Sequence, residues 1–315
     1  MGIINKVHVL IGTPASGKST WAKNFCESTD KVWLSSDTIR KELYGSEEVQ
    51  DNPQKVFSLM FERICAALSE HKDVVYDATN LSRKRRIDLI KKIKDKFPKT
   101  LIFGELFATP YEVCLERNSA RARAVPSEAM LRMYKSFEIP TTYEGFDAIF
   151  LRADNAEVGV LDERLSEAMK ISQENHHHTL TIGEHCLAAQ NYIVRNWKEI
   201  SNDIGYYWTR CLEVAARYHD LGKIFCKTNV KPNGVIDTEY HFYNHENVGA
   251  YDFLCYADNN LFSRQMTQDV ALLINLHMIP HQWREQSKKN KTQQIYGEHI
   301  WKVLMWLNKA DIAAH

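Results

Sequence analysis

The sequence predicts an α/β domain with a parallel sheet followed by an all-helical domain, and three observations predict it. Short apolar runs alternate with helix-spaced patterns up to about residue 150, the first run ends in a glycine-rich turn that opens a helix, and strand signals stop after about Leu161. A chain of 315 residues exceeds the usual size of one domain, which fits this division. The hydrophobic fraction of 44% and charged fraction of 25% are ordinary for a globular protein, so core formation is not in question.

Taken in order, Val7–Ile11 reads as a buried strand, Ser19 to about Ser28 as a helix, and Lys31–Leu34 as a second strand. A short helix over Thr38–Tyr44 follows, then one over Val56–Glu70 with Val56, Leu59, Met60, Ile64 and Leu68 on one face. Val74–Tyr76 is a third strand, Arg83–Phe97 a basic helix, Leu101–Leu106 a fourth strand, and Ser127–Phe137 a helix. Strands separated by helices imply right-handed crossovers and a parallel sheet covered on both faces. The polar stretch from Arg152 to about Glu157 separates domains over 1–155 and 160–315. In the second, Leu180–Trp197, Trp208–Asp220, His245–Tyr256, Gln265–His277 and His299–Ala313 read as helices, with Ser287–Thr292 as a solvated loop.

Formal net charge is zero. Residues 1–150 hold 23 basic against 20 acidic groups and the remainder 17 against 20, a small asymmetry whose direction suits a polyanion-binding first half. Seven dispersed cysteines without a C-x-x-C pair argue against a disulfide framework and a thiolate zinc site, and a reducing cytoplasm is expected. The N-terminus lacks the pattern for myristoylation or a signal peptide. With no apolar run of about 20 residues, no membrane span is expected.

Gly12-Thr13-Pro14-Ala15-Ser16-Gly17-Lys18-Ser19 matches the phosphate-binding loop in full, between a strand and a helix as that motif requires. Gly12 and Gly17 supply permissive dihedrals, and Ser16, Gly17 and Thr20 lie where backbone groups cradle phosphates. Lys18 is placed to neutralise the β- and γ-phosphates and Ser19 to ligate Mg²⁺, so ATP and Mg²⁺ are the expected cofactors.

Three further segments bear on the acceptor. Asp37, just past the second strand, either takes the proton of an attacking hydroxyl or caps the following helix. Asp77 ends the third strand, where it can touch metal or acceptor. The run Arg83-Lys84-Arg85-Arg86 after it reads first as a solvated helix face and second as a contact to nucleic-acid phosphates. Arg117, Arg121 and Arg123 precede a helix, as in a lid of fixed positive charges closing over ATP.

Gly-x-Pro-x-Ser-Gly-Lys-Ser-Thr-Trp-Ala, Asp-Ala-Thr-Asn-Leu, Arg-Asn-Ser-x-x-Arg and Ala-Val-Pro…Leu-Arg-Met-Tyr-Lys-Ser resemble the phage-type polynucleotide kinase domain over roughly Val7–Ile149. The resemblance implies Asp37 as general base for a 5′-hydroxyl, Arg40 on an acceptor phosphate, Asp77 at the acceptor end, and Arg117 and Arg121 on ATP. The lid between Ser119 and Val125 is shorter than in the phage enzyme, leaving Arg123 without a counterpart role. The DxDGT phosphatase motif of that enzyme is absent here, so the resemblance stops at the boundary.

Beyond it, His185, His219-Asp220, His245, His277 and Asp311 sit in or at the ends of separate predicted helices. They could converge on one ion of the borderline transition class. For His219 and Asp220 to share it, the ion must lie against their helix, because helical neighbours point about 100° apart. The order His…His-Asp…Asp, with His219-Asp220-Leu-Gly-Lys223 and Asn308-Lys-Ala-Asp311, resembles the HD phosphohydrolase superfamily over about His176–Asp311. It implies one metal held by His185, His219, Asp220 and Asp311, with Asp220 catalytic. His245 and His277 serve a second metal in two-metal members, Lys223 meets the scissile phosphate, and acidified water is the nucleophile. Mn²⁺, Ni²⁺, Co²⁺, Fe²⁺ and Zn²⁺ all suit such a site. His178 is a further candidate, while His281 is set aside because Pro280 interrupts the helix.

Together these features lead us to expect a bifunctional end-healing enzyme. It would phosphorylate a 5′-OH of RNA or DNA and hydrolyse 3′-phosphate or 2′,3′-cyclic phosphate ends, supplying a separate ligase. The rivals are a small-molecule P-loop kinase fused to an HD nucleotidase, and a nucleotide-gated RNA-binding regulator with silent centres.

Overall fold

The computed structural model describes residues 4–49, 51–153, 158–174, 179–257, 259–282 and 286–315. They fall into two compact units, Met1–Met133 with Pro140–Asp154, and Tyr134–Ile139 with Asn155–His315.

The first unit contains β1 (Lys6–Ile11), α1 (Lys18–Glu27), β2 (Val32–Ser35), α2 (Ser36–Tyr44), α3 (Pro53–Ser69), β3 (Val74–Asp77), α4 (Arg83–Lys96), β4 (Leu101–Ala108) and α5 (Tyr111–Ser119). Most of α6 (Ser127–Lys135) follows, and then β5 (Ala148–Ala153). The sheet order is β2-β3-β1-β4-β5, with every pairing parallel. Val7, Val9, Leu10, Ile11, Val74 and Val75 are fully buried, as central strands covered on both faces require. In α3, Val56, Met60, Ile64 and Leu68 are buried on one face, while Leu59 is only partly covered. The fifth strand, β5, was not anticipated. It is an edge strand with Phe150 exposed, and its apolar run Ala148–Leu151 was the signal available for it. The strand order sets the carboxyl ends of β1, β3 and β2 side by side, where open α/β sheets bind ligands.

The basic start of α4 is a solvated face only in part. Arg86 is fully buried, and its guanidinium forks onto the Glu144 carboxylate with Nε and Nη2 at 2.6 and 2.7 Å. Its Nη1 donates to the Asn80 and Leu81 carbonyls at 2.9 Å. Arg83 also leans on Glu144, leaving only Lys84 and Arg85 exposed. Arg86 thus braces the turn after Asp77, where Asn80 Nδ2 reaches the Leu10 carbonyl at 2.7 Å and the Gly12 amide donates to Thr79. Glu144→Ala should destabilise the unit by about 3–5 kcal/mol, because it strands a buried guanidinium. Denaturant unfolding measures the loss, and a value near zero would exclude the bracing role.

In the second unit lie α7 (Val160–Ala168), α8 (Ile182–Arg195), α9 (Trp197–Ile204), α10 (Tyr206–Tyr218) and α11 (Lys223–Cys226). They are followed by β6 (Thr228–Val230), β7 (Ile236–His241), α12 (His245–Tyr256), α13 (Arg264–Leu276) and α14 (Gln286–Ala313). The second half is helical as expected, with one short addition: β6 and β7 form an antiparallel hairpin. Its signal was present, since β-branched Thr228, Val230 and Ile236 flank a Pro232-Asn233-Gly234 turn closed by Lys231–Val235 backbone bonding. The expected loop at Ser287–Thr292 is instead the first part of α14, which breaks at Gly297 (φ 82°). Polar composition does not bar a helix, and the Thr292 side of that turn is buried. Tyr134 and Phe137 belong to this unit's core. The Tyr134 hydroxyl donates to Asp252 at 2.5 Å, and both rings pack on Tyr251.

Candidate functional site

In the first unit the loop from Gly12 to Ser19 turns into α1 through Gly17, whose φ of 90° is left-handed and strained for any residue with a Cβ. Lys18 is buried, with its ammonium on the Thr13 carbonyl at 2.6 Å and near the Ser16 hydroxyl at 3.3 Å. Burial lowers its pKa from 10.5 to about 8, against the opposing charges of Asp77 and Asp37. Ser19 and Thr20 are exposed at the start of the helix. Asp77 is buried at the end of β3, raised above the usual carboxylate range by desolvation despite Lys18 and a hydrogen bond from Ser19. Serine and aspartate side by side are hard oxygen donors suited to Mg²⁺. The Trp33 indole, which the sequence had not suggested, donates to Asp77 at 3.2 Å.

Asp37 is not the cap of α2. Ser35 holds that position and accepts the Asp37 amide, which frees the Asp37 carboxylate for other work. That carboxylate is 43% exposed and receives Arg40 Nη1 on Oδ1 at 2.9 Å. Its charge acts on Lys18, as does that of Arg121. Arg117 and Arg121 are exposed, Arg117 in α5 and Arg121 just past it. The site therefore gathers a buried cation, two carboxylates, Arg40 and Arg121 around one loop, while Arg117 lies exposed on α5.

Lys18 carries a pH prediction. A bound triphosphate favours the ammonium form, so it restores the pKa that burial depresses. Above about pH 8 the free protein has lost this proton and the complex keeps it. Nucleotide binding should then take up a proton, and affinity should fall as pH rises from 8 towards 10. Calorimetry in buffers of different ionisation enthalpy reads the uptake, and a buffer-independent heat at pH 9 would refute it.

The second unit brings the histidines together. His185 lies in α8, His219 closes α10 with Asp220 in the turn after it, His245 opens α12, His277 closes α13, and Asp311 sits in α14. All six are buried. Asp220 stands between two pairs: Oδ2 lies 3.5 Å from His185 Nε2 and 3.6 Å from His219 Nε2, while Oδ1 lies 3.2 Å from His245 Nε2 and 3.6 Å from His277 Nε2. Asp311 Oδ1 lies 2.8 Å from His185 and 3.7 Å from His219. His219 keeps helical dihedrals at the end of α10 (φ −59°, ψ −33°), so the pair still diverges as helical neighbours do. Close packing here requires Gly222, where a Cβ would stand 2.1 Å from the His245 carbonyl oxygen.

The donor chemistry fits divalent cations. Each of the four imidazoles turns Nδ1 to a backbone carbonyl: Ala314, Ala216, Phe242 and Ile274 for His185, His219, His245 and His277. A proton held there leaves the Nε2 lone pairs facing one another, and those of His245 and His277 are 3.1 Å apart. His219 Nε2 is buried without a hydrogen-bond partner. Burial is the largest single influence and disfavours the His219 cation, but Asp220, Asp311 and Cys186 together outweigh it and hold His219 well above its ordinary pKa. Burial would likewise raise Asp220, yet Lys223 and the histidines keep it well below the carboxylate range. Among the described residues, His185–His219–Asp220, Asp220–His245–His277 and His185–Asp311–His315 are groups able to hold an ion.

Three neighbours complete this site. Lys223 is buried, with Nζ at 2.7 Å from both Asp220 Oδ2 and Gln173 Oε1. Gln173 was not foreseen. His281, set aside because of Pro280, is on Asp311 Oδ2 at 2.6 Å, since a 3-10 turn at Pro280–Gln282 carries it back to the cluster. Its spacing of four from His277 was the available signal. His178 lies outside the described residues.

The first unit is thus a kinase-like P-loop domain, and the second a helical unit around a His/Asp cluster. Residues 7–140 match the model of a family described as AAA domain. L-seryl-tRNA(Sec) kinase of Methanococcus maripaludis is 28% identical over 176 residues, 52% of this chain and 65% of that protein. Transcription factor bHLH140 of Arabidopsis thaliana is 28% identical over 165 residues, 48% of this chain and 16% of that protein. The chain therefore spans less than two thirds of either relative. A chain of the Pnkp1/Rnl/Hen1 RNA repair complex is 22% identical, covering 43% of this chain and 45% of that one, with a TM-score of 0.39. No helix among the described residues is long and apolar enough to cross a membrane.

Proposed function

We propose that this chain heals broken nucleic-acid ends. The kinase domain, proposed over residues 1–155, transfers the γ-phosphate of ATP to a polynucleotide 5′-hydroxyl. The domain proposed over residues 160–315 is an HD-type phosphohydrolase acting on 3′-phosphate or 2′,3′-cyclic phosphate ends. The observation that carries the kinase reading is Asp37: a half-exposed carboxylate beyond the phosphate loop, free of capping duty and paired with Arg40. In this reading Asp37 takes the hydroxyl proton as the oxygen bonds to the γ-phosphorus and ADP leaves. Lys18, Arg117 and Arg121 offset charge on the transferred group, Ser19 and Asp77 hold Mg²⁺, and Arg40 holds an acceptor phosphate.

For the second unit, the donors of His185, His219, Asp220 and Asp311 would hold one divalent cation, and Asp220, His245 and His277 another. Cations there supply Lewis-acid activation of a phosphoryl centre. Lys223 orients Asp220 and offers positive charge to the phosphate, and each Nδ1–carbonyl contact fixes an imidazole tautomer. Such products are substrates for a ligase, the expected partner.

The relative named a seryl-tRNA kinase favours a second reading, in which the acceptor hydroxyl is carried by an aminoacylated tRNA. One experiment separates them. RNA with 5′-OH and 2′,3′-cyclic phosphate ends, and in parallel seryl-tRNA, are incubated with ATP, Mg²⁺ and Mn²⁺, and the products are read by mass spectrometry. Phosphate gained at the 5′ end and lost at the 3′ end supports end healing. Phosphoserine on tRNA with unchanged RNA ends overturns it.

A further inference from the structure

We propose that Arg123 is a second phosphate-binding arm of the acceptor site, held by Glu47 until an internucleotide phosphate of the acceptor strand takes its place. The inference rests on the polynucleotide kinase reading above and deepens it.

Arg123 lies on the segment between α5 and α6. The base of that segment is pinned by Asn118, whose Nδ2 donates to the Val125 carbonyl at 2.8 Å and whose Oδ1 accepts the Val125 amide at 2.9 Å. The pinned turn carries two arginines, Arg121 and Arg123. Arg117 and Arg121 are exposed, and Arg121 acts electrostatically on Lys18 in the nucleotide loop. Arg123 instead sends Nη1 to within 3.8 Å of Asp37 Oδ2 and 3.4 Å of Glu47 Oε2. Arg40 meets the other oxygen of Asp37 at 2.9 Å. The carboxylate is therefore bracketed by two guanidiniums, one from α2 and one from the α5–α6 segment.

A carboxylate that takes a proton from a hydroxyl needs one oxygen open to it: Arg40 holds Oδ1, while Arg123, 3.8 Å from Oδ2, is beyond hydrogen-bond reach and leaves that oxygen open. Glu47 has no place in the phosphate loop. It is 43% exposed and offers Arg123 a carboxylate without closing a buried network. A phosphodiester presents the same paired oxygens as Glu47, and guanidinium forks bind either. Exchange of Glu47 for a strand phosphate would keep Arg123 charge-paired while placing the strand beside Asp37. Acceptors lacking that phosphate would leave Arg123 on Glu47. Arg123 and Glu47 are thus positioning residues that select a polynucleotide over a free nucleoside.

The test measures phosphate transfer from ATP to a 5′-OH oligonucleotide and to a free nucleoside, with KM for acceptor and for ATP determined separately. In Arg123→Ala, KM for the oligonucleotide should rise about tenfold while KM for ATP stays unchanged, as loss of one charge-assisted hydrogen bond implies. Arg123→Lys should recover part of it, and Glu47→Gln should lower the oligonucleotide KM. An unchanged oligonucleotide KM in both Arg123→Ala and Glu47→Gln overturns the proposal, and so does a raised KM for ATP, which would put Arg123 on the nucleotide. If the wild-type protein phosphorylates no oligonucleotide, the polynucleotide reading itself falls, a result visible before any variant is made.

Discussion

Asp220→Ala is expected to empty both halves of the His/Asp cluster and to lower 3′-end hydrolysis by about three orders of magnitude. Lewis-acid stabilisation is worth several kcal/mol, and about 1.4 kcal/mol is a factor of ten. The reason is its position: one oxygen faces His185 and His219 and the other His245 and His277, so no other carboxylate of the described cluster serves both pairs. Removal also strands the buried Lys223 ammonium, 2.7 Å from Oδ2. Some of the alanine effect will therefore be loss of stability. Asp220→Asn separates the two, because it keeps shape and hydrogen bonding while removing the charge that two cations need. Metal content after gel filtration, the melting temperature and mass analysis of RNA 3′ ends are measured together. The 5′ reaction should be spared. Wild-type metal content and hydrolysis in Asp220→Asn would refute the cluster as the hydrolytic centre.

Asp37→Ala should lower phosphate transfer by about 10²–10⁴-fold, the usual worth of a positioned general base. Nucleotide binding should persist, because Gly17, Lys18 and Ser19 are untouched and Asp37 is only one of several charges acting on Lys18. The alanine variant leaves Arg40 without its carboxylate, so Asp37→Asn, which can still accept from Arg40 at Oδ1, isolates the proton-transfer role. Transfer from labelled ATP to a 5′-OH oligonucleotide gives the rate, and equilibrium binding of ATP checks the nucleotide site. Full activity in Asp37→Asn would move the base elsewhere, and Asp77, raised by burial, is the other carboxylate at this loop.

The parts of this protein that could be read directly are those in which function is written contiguously. The strand–loop–helix from Val7 through α1 is one: its glycines, lysine and serine must be consecutive because one turn carries them all. The central strands were legible because burial on both faces favours apolar runs; β5 carries such a run too, at Ala148–Leu151, whereas the hairpin β6–β7 faces solvent and leaves a weaker trace. The ordered histidines suggested a cluster, but nothing in their spacing tells which oxygen of Asp220 faces which pair.

What the sequence determined by itself was the periodicity of each segment and the chemistry each could offer: a phosphate loop, an aspartate after each of two strands, and six imidazole or carboxylate positions spread over several helices. Tertiary structure decided which charges are used. Arg86 sits in a run that reads as surface, yet a glutamate at position 144 draws it inside. Asp37 could have capped its helix, yet Ser35 does so, and His281 returns to Asp311 past Pro280. The physical reason is range. Backbone dihedrals and side-chain periodicity are set within a few residues, whereas desolvating a charge is tolerable only beside a partner brought by the fold, often from far along the chain.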